Sequence, residues 1–176
     1  RKNGLSYGMD DQFYKKKQTL LFLYSLIKDC GKNFVMNLLE KKNIGNAQKF
    51  YRYKNYFYTA HELFLIKFVK ELESNLRLKK MKVICEIGPG YGCLVSKILK
   101  KTNAKMILID LPEANFLSFY FLSKLFPKKK IFVSEDYKNK KLDKKNLKKY
   151  DIVILTPWDK FPTLKVDLFI NTRSMM

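Results

Sequence analysis

The sequence lacks several features on which large classes of proteins depend. It has no run of about 18 apolar residues, so no membrane span is expected. Its three cysteines, Cys30, Cys85 and Cys93, are an odd number without the spacing of a metal site, so we expect no bound metal and reduced thiols, as in a cytoplasmic protein. No signal peptide is visible. The chain starts at Arg1 rather than at Met and stops at Met176 directly behind a predicted strand, which is typical of a fragment.

Arginine is also scarce in a chain that is otherwise strongly basic. Lys and Arg number 36 against 16 Asp and Glu, which gives a net charge of +20 at pH 7. Such a charge attracts nucleic acids. However, nearly all the basic residues are Lys, and specific phosphate and base recognition favours Arg for its planar fork. Because the lysines are spread along the whole chain, we expect solvated lysine faces and no specific nucleic-acid partner.

The first part of the chain, residues 1–80, has the apolar spacing of helices. The predicted helices are residues 12–30, 32–42 and 59 to about 80. Gly31 hinges the first two, and Thr59 with Glu62 fits a capping box at the start of the third. Residues 44–58 are predicted as a polar connection rich in aromatic side chains. We expect this helical region to cap the ligand site of the domain that follows.

The second part, residues 81–176, alternates between strand and helix patterns. The predicted strands are residues 83–86, 106–109, 130–134, 151–156 and 166–171. Crossover helices are predicted at 91–101 and 112–127, and the lysine-rich segment 138–149 is expected to be an exposed excursion. Residues 166–170 are apolar on both faces, which predicts a central strand paired on both sides. The predicted fold class is therefore α/β, a doubly wound Rossmann-like sheet whose later strands are missing from the chain.

The most informative stretch is the junction between the first two of these strands. The first strand ends in Glu86, and the second ends in Asp110. Three glycines follow Glu86, namely Gly88, Gly90 and Gly92. A strand, a glycine loop, a helix and a second strand form the nucleotide-binding half of a doubly wound sheet. A dinucleotide fingerprint, G-x-G-x-x-G, needs a third glycine where Cys93 stands, so the spacing argues against NAD.

The spacing E-x-G-x-G-x-G is instead similar to that of S-adenosylmethionine-dependent methyltransferases. This cofactor carries a carboxylate, an ammonium and a sulfonium but no pyrophosphate. Glu86 at the strand end offers a negative charge for the ammonium, and Asp110 can accept hydrogen bonds from both ribose hydroxyls. The alternative is a glycine turn that closes an ordinary strand-to-helix junction.

Four motifs, EIGPGYG, IDLPE, ILTPWD and VDLFINTRSMM, follow one another in an order that resembles the sugar O-methyltransferases, a family of class I S-adenosylmethionine-dependent enzymes. The resemblance covers about residues 43–176. It implies that Glu86 and the three glycines hold the methionine part of the cofactor and that Asp110 holds the ribose. It further implies adenine contacts from Leu111, Trp158 and Asp159, and a position near the methyl group and the substrate for Asn171.

Each of these later positions also has an ordinary structural interpretation. Trp158 fits an exposed loop aromatic, Asp159 fits a turn residue, and Asn171 fits the cap of a strand. His61 is the sole histidine of the chain and is the candidate for a catalytic base, because the dipole at a helix start favours its neutral form. It also fits an ordinary first-turn residue.

The expected function is methyl transfer from S-adenosylmethionine to a sugar hydroxyl of a glycan or sugar-nucleotide acceptor. The alternatives are an RNA or DNA methyltransferase, another small-molecule methyltransferase, and a non-catalytic or NAD-binding module. Methyltransferases that act on base amino groups usually carry prolines after an Asn or Asp at the fourth strand of their family's sheet, which corresponds here to residues 166–171. Here that place reads Asn171-Thr172-Arg173-Ser174, without a proline.

Overall fold

The computed structural model describes residues 15–45, 51–134, 143–160 and 163–172. The chain divides into two compact units between Leu76 and Arg77. The roles predicted for the helical part and for the α/β part stay predictions.

The first unit contains the three predicted helices. They are α1 (Lys16–Cys30), α2 (Lys32–Leu38) and α3 (Ala60–Asn75). Gly31 separates α1 from α2 with a φ of 87°, a left-handed conformation that favours glycine, so the predicted hinge is confirmed. The capping box is also confirmed: the Thr59 hydroxyl accepts from the Glu62 N–H at 3.1 Å, and the Glu62 carboxylate accepts from the Thr59 N–H at 3.2 Å. The second and third helices are shorter than predicted. They end at Leu38 and Asn75 because the next residues, Leu39 and Leu76, take an extended conformation.

The prediction of a plain connection before α3 is wrong for its second half. Residues Tyr51–Tyr53 (β1) and Tyr56–Tyr58 (β2) form an antiparallel hairpin, and residues 46–50 lie outside the described residues. Lys54 takes the positive φ of 53° that this tight turn requires. Tyrosine favours strands, and the rings of Tyr51 and Tyr58 pair across the hairpin at a centroid distance of 5.8 Å. Cross-strand aromatic pairing therefore explains this element.

The second unit is a mixed α/β unit around a parallel sheet. A 3-10 helix (Leu78–Lys80) precedes β3 (Val83–Ile87), α4 (Cys93–Leu99), β4 (Lys105–Ile109), α5 (Pro112–Leu125), β5 (Ile131–Val133), α6 (Lys144–Leu147), β6 (Ile152–Leu155) and β7 (Leu168–Asn171). Within the described residues the sheet has five strands, all parallel, in the order β5-β6-β4-β3-β7. This arrangement is compatible with a Rossmann-like fold.

One prediction about this unit needs correction. Lys144–Leu147 lies in the segment predicted as an exposed excursion, yet it is a helix whose Leu147 is buried against β4 and β6; residues 135–142 are outside the described part. β7 is the strand whose further neighbours are expected to be missing from the chain, and in the described part of the chain it pairs with β3 alone. Its side chains alternate accordingly, with Ile170 buried and Phe169 63% exposed.

The topology fixes where a ligand site can form. The chain runs from β3 to its neighbour β4 and onward to β5 and β6, and then returns to the other side of β3 as β7. The strand order therefore reverses beside β3. In open parallel sheets, ligands bind outside the carboxyl ends of the strands at such a reversal. Most of the residues that the sequence singles out lie at the carboxyl ends of β3, β4, β6 and β7.

Candidate functional site

The glycine loop after β3 depends on backbone conformations that glycine alone adopts readily. Gly88, Gly90 and Gly92 have φ values of 71°, 56° and 86°. The Gly88 N–H donates to the Ile109 carbonyl of β4 at 2.8 Å, and the Gly92 N–H donates to the Pro89 carbonyl at 2.9 Å. The loop is therefore a fixed turn at the carboxyl ends of β3 and β4.

Two of these glycines differ in what surrounds them. A Cβ added to Gly92 would lie 3.1 Å from Leu122 Cδ1 of α5, so the backbone is packed tightly against that helix. A Cβ added to Gly90 would meet no atom within 4 Å. The loop thus packs inward at Gly92 and borders open space at Gly90. Such open space lets a ligand approach the backbone closely.

Glu86, directly before this loop, is a buried carboxyl. Its side chain is 1% exposed, and its backbone lies between Leu108 of β4 and Ile170 of β7. No described residue forms a hydrogen bond with its Oε2 atom. Burial, together with the negative charge of Asp110, raises the pKa of Glu86 from 4.5 to about 8. Because a buried polar atom without a partner costs free energy, the site favours a ligand that supplies a hydrogen-bond donor or a positive charge.

Asp110 follows β4 and faces the glycine loop. Its Oδ2 accepts from the Gly90 N–H at 2.9 Å, and its Oδ1 accepts from the Leu111 N–H at 2.8 Å. The carboxylate is therefore held in place by the loop that it adjoins. Each carboxylate oxygen has two lone pairs, so each can accept one further hydrogen bond from a ligand. Asp110 remains suited to two neighbouring hydroxyl groups.

Two residues that the sequence reasoning missed support this arrangement from α5. The Asn115 side chain is 1% exposed, and its Nδ2 donates to the carbonyls of Asp110 at 2.9 Å and Leu155 at 3.0 Å. The Ser118 hydroxyl donates to the Gly90 carbonyl at 2.6 Å. Asn115 and Ser118 are three residues apart and hence on one helix face. Two polar residues at that spacing, within a stretch of α5 that is otherwise apolar from Ala114 to Leu122, were the available signal.

The segment after β6 adds a second acidic turn. Asp159 Oδ2 accepts from the Thr156 N–H at 2.5 Å and from the Thr156 hydroxyl at 2.8 Å. Burial acts to raise the pKa of Asp159, but the nearby Ser134 hydroxyl and the two hydrogen bonds from Thr156 outweigh it and hold that pKa below its usual range. Asp159 therefore acts as a turn residue through its Oδ2 atom. The contact of Asp159 with an adenine stays a prediction.

Four predicted site residues remain. Leu111 and Trp158 are exposed apolar side chains, Asn171 lies at the end of β7, and His61 belongs to the first unit. Leu111 is 54% exposed and Trp158 is 66% exposed, so both can cover a flat ligand surface. Asn171 ends β7, where its backbone pairs with Ile87 of β3. His61 is the second residue of α3 in the first unit, and it stays a prediction as a base. The side chains that the second unit groups together are therefore those at the ends of β3, β4, β6 and β7.

Comparison with known proteins adds no family or fold neighbour. No protein-family model matches the chain, and neither a curated protein nor a solved structure is significantly similar to it. Within the described ranges, no cluster of three or more His, Cys, Asp or Glu side chains is placed to hold a metal ion. No helix of those ranges is both long and apolar enough to cross a membrane. The function must be argued from the site.

Proposed function

We propose that the protein binds S-adenosylmethionine at this site and transfers its methyl group to a sugar hydroxyl. The observation that supports the proposal most is the buried Glu86 carboxyl, whose Oε2 has no partner among the described residues, beneath a glycine loop that borders open space. An ammonium group would supply the missing donor and the compensating charge. The methionine part of this cofactor carries such a group.

The charge of the site also favours this cofactor over a dinucleotide. Glu86 and Asp110 are close enough for their charges to interact, since Asp110 contributes to the raised pKa of Glu86. A pyrophosphate at this loop would be repelled by the Asp110 carboxylate, and its negative charge would disfavour ionisation of Glu86 further. α4 starts only at Cys93 and spans seven residues, which offers a pyrophosphate little helix dipole in compensation.

The remaining roles follow from position and stay parts of the proposal. Asp110 would accept from the two ribose hydroxyls with the lone pairs that the loop leaves unused. Leu111 and Trp158 would cover the faces of the adenine ring, and Asp159 would accept from its amino group. Asn115 would hold the end of β4 against the end of β6, which keeps these groups in register. The glycine loop would let the methionine part of the cofactor approach the backbone closely at Gly90, where it borders open space.

The residues of this chain would act mainly by positioning. S-adenosylmethionine, when bound, supplies an electrophilic methyl group. Glu86 and the glycine loop fix one end of the cofactor, so that the acceptor hydroxyl can be aligned with the methyl carbon. A general base must take the hydroxyl proton, and His61 is our candidate for that role. The choice of a sugar as acceptor rests on the resemblance of the four motifs.

Calorimetric titration tests the cofactor. We expect binding of S-adenosylmethionine and no binding of NAD at the same concentrations. Loss of the charged hydrogen bond in Glu86→Gln should weaken binding by about 1.5–3 kcal/mol. Glu113→Gln removes an exposed carboxylate in the first turn of α5 and should bind as the unaltered protein does. Binding of NAD without binding of S-adenosylmethionine would refute the proposal.

Transfer of a radiolabelled methyl group tests the acceptor. Label should enter a sugar nucleotide or a glycan and should not enter RNA. RNA binding that disappears between low and moderate salt, without transfer, would identify an electrostatic interaction of the lysine-rich surface. Efficient labelling of RNA would overturn the sugar assignment and leave the cofactor assignment intact.

A further inference from the structure

A cavity lies in the α/β unit, away from the glycine loop. Its volume is about 600 Å³. Nine residues line it: Lys79, Lys80, Met81, Lys82, Leu99, Lys100, Lys101, Thr102 and Asn103. A cavity of this size can hold a small organic ligand. Five of the nine lining residues are lysines, so the ligand that it fits is an anion.

The cavity and the proposed cofactor site lie at opposite ends of the strands. One wall is the 3-10 helix and the segment entering β3, and the other is the end of α4 with the segment entering β4. Both walls therefore adjoin the amino ends of strands whose carboxyl ends carry Glu86 and Asp110. A strand of five residues spans about 16 Å, so the cavity is a separate site.

Backbone hydrogen bonds hold both walls in place. The Lys80 N–H donates to the Arg77 carbonyl at 2.8 Å, and the Thr102 N–H donates to the Ile98 carbonyl at 3.0 Å. The Lys105 N–H donates to the Lys82 carbonyl at 2.8 Å and thereby joins the two walls. The cavity is thus bounded by fixed backbone, and little ordering of the main chain would be needed on binding.

The cavity has more lysines than are needed to complement the dipole of α4. Lys100 and Lys101 lie at the carboxyl end of α4, where they complement the helix dipole. The facing wall carries three further lysines on or beside a 3-10 helix of three residues, which is too short for a comparable dipole. The nearby carboxylate of Asp167 accepts from the backbone N–H groups of Lys82 and Val83 at 2.7 and 3.0 Å. Five lysines around one cavity favour an anionic ligand.

We propose that this cavity binds a ligand with a diphosphate group. Lysine binds phosphate as a point charge with three donors, and lysines on two facing walls let such charges contact both phosphoryl groups of a diphosphate. Thr102 and Asn103 add polar lining, and Met81 and Leu99 provide an apolar part against which the rest of the ligand can lie. No aromatic ring is among the lining residues, so the cavity lacks the stacking platform that single-stranded nucleic acids use.

Calorimetric titration of the whole chain with inorganic pyrophosphate, and then with a nucleoside diphosphate, tests this site. We compare Lys79→Gln/Lys80→Gln/Lys100→Gln with Lys128→Gln/Lys145→Gln/Lys160→Gln, which removes the same charge from exposed positions outside the cavity. The cavity variant should bind pyrophosphate at least about tenfold more weakly, and the control variant should stay within about twofold. Both variants should retain affinity for S-adenosylmethionine.

Three results would overturn the proposal. Equal weakening in the two variants would mean that pyrophosphate responds to net charge alone. Binding of a short RNA duplex without binding of pyrophosphate would mean that the lysines form a general polyanion surface. Retained pyrophosphate affinity in a cavity variant whose thermal melt matches that of the control would place the anion elsewhere. Failure of the proposed cofactor to bind leaves this test unaffected, because pyrophosphate is measured by itself.

Discussion

Replacing Glu86 by Gln should change how the stability of the protein depends on pH. The folded state raises the pKa of Glu86 from 4.5 to about 8, first by burial and then through the charge of Asp110. A carboxyl whose pKa is raised in the folded state contributes stability that is fully present below about pH 4.5. That contribution is lost as the pH rises through about 8. Gln has nearly the same shape but does not titrate.

The size of the effect follows from the two pKa values. Linkage gives a loss of about 1 kcal/mol by pH 5, about 3 kcal/mol by pH 7 and about 5 kcal/mol by pH 9, relative to strongly acidic solution. The free energy of unfolding of the unaltered protein should therefore fall by about 4 kcal/mol between pH 5 and pH 9 relative to that of Glu86→Gln. The cost of burying the Gln amide is the same at each pH and does not enter this difference.

Urea denaturation at pH 5, 7 and 9 measures the difference directly. Other titrating groups are common to both proteins and cancel in the comparison. Glu113→Gln provides a control for the loss of an exposed carboxylate, and its pH dependence should match that of the unaltered protein. Parallel pH curves for the unaltered protein and Glu86→Gln would refute the reasoning, because they would mean that Glu86 ionises equally easily in the folded and unfolded states.

Three further predictions concern single positions. Gly92→Ala should destabilise the protein more than Gly90→Ala in urea denaturation. Both glycines have a positive φ, but only at Gly92 would the added Cβ press against Leu122. Equal decreases in the free energy of unfolding would contradict this packing. Asp110→Ala should weaken S-adenosylmethionine binding by about 1.5–3 kcal/mol in calorimetry, and unchanged affinity would mean that the ribose is held elsewhere. Thr59→Ala should lower the free energy of unfolding by about 1 kcal/mol, because it removes the hydroxyl cap of α3, whereas Thr59→Ser should retain most of it.

Much of the α/β unit could be predicted because its signals are local. The five apolar runs, the glycine loop and Pro112 at the first turn of α5 each reflect a backbone preference that a few neighbouring residues determine. Glu86 and Asp110 could be singled out because strand ends place such residues at one edge of the sheet. The burial of Glu86 could not be read from the sequence. It depends on Leu108 and Ile170 of the neighbouring strands, which are far away along the chain.

The features that the sequence did not predict have one cause in common, because each depends on tertiary contacts. The tyrosine hairpin gains stability from cross-strand ring pairs, whereas the local composition suggested a polar connection. Leu147 lies within a run of lysines, yet it is buried because its helix packs against β4 and β6. Asn115 supports the site through two carbonyl groups that belong to different strands. The partners in these contacts cannot be identified from a few neighbouring residues of sequence.

The position of the Glu86 carboxyl, whose burial costs free energy, favours a ligand site over a structural turn. A glycine turn that only closes a strand-to-helix junction gains nothing from a buried carboxyl at its base, and an apolar side chain there would be more stable. Glu86 instead carries a desolvation cost that rises with pH, and it lies directly before a loop that borders open space at Gly90. Sequences retain such local costs mainly where a ligand offsets them. A cationic ligand would lower the pKa of Glu86, so its binding near pH 7 would release a proton from that carboxyl.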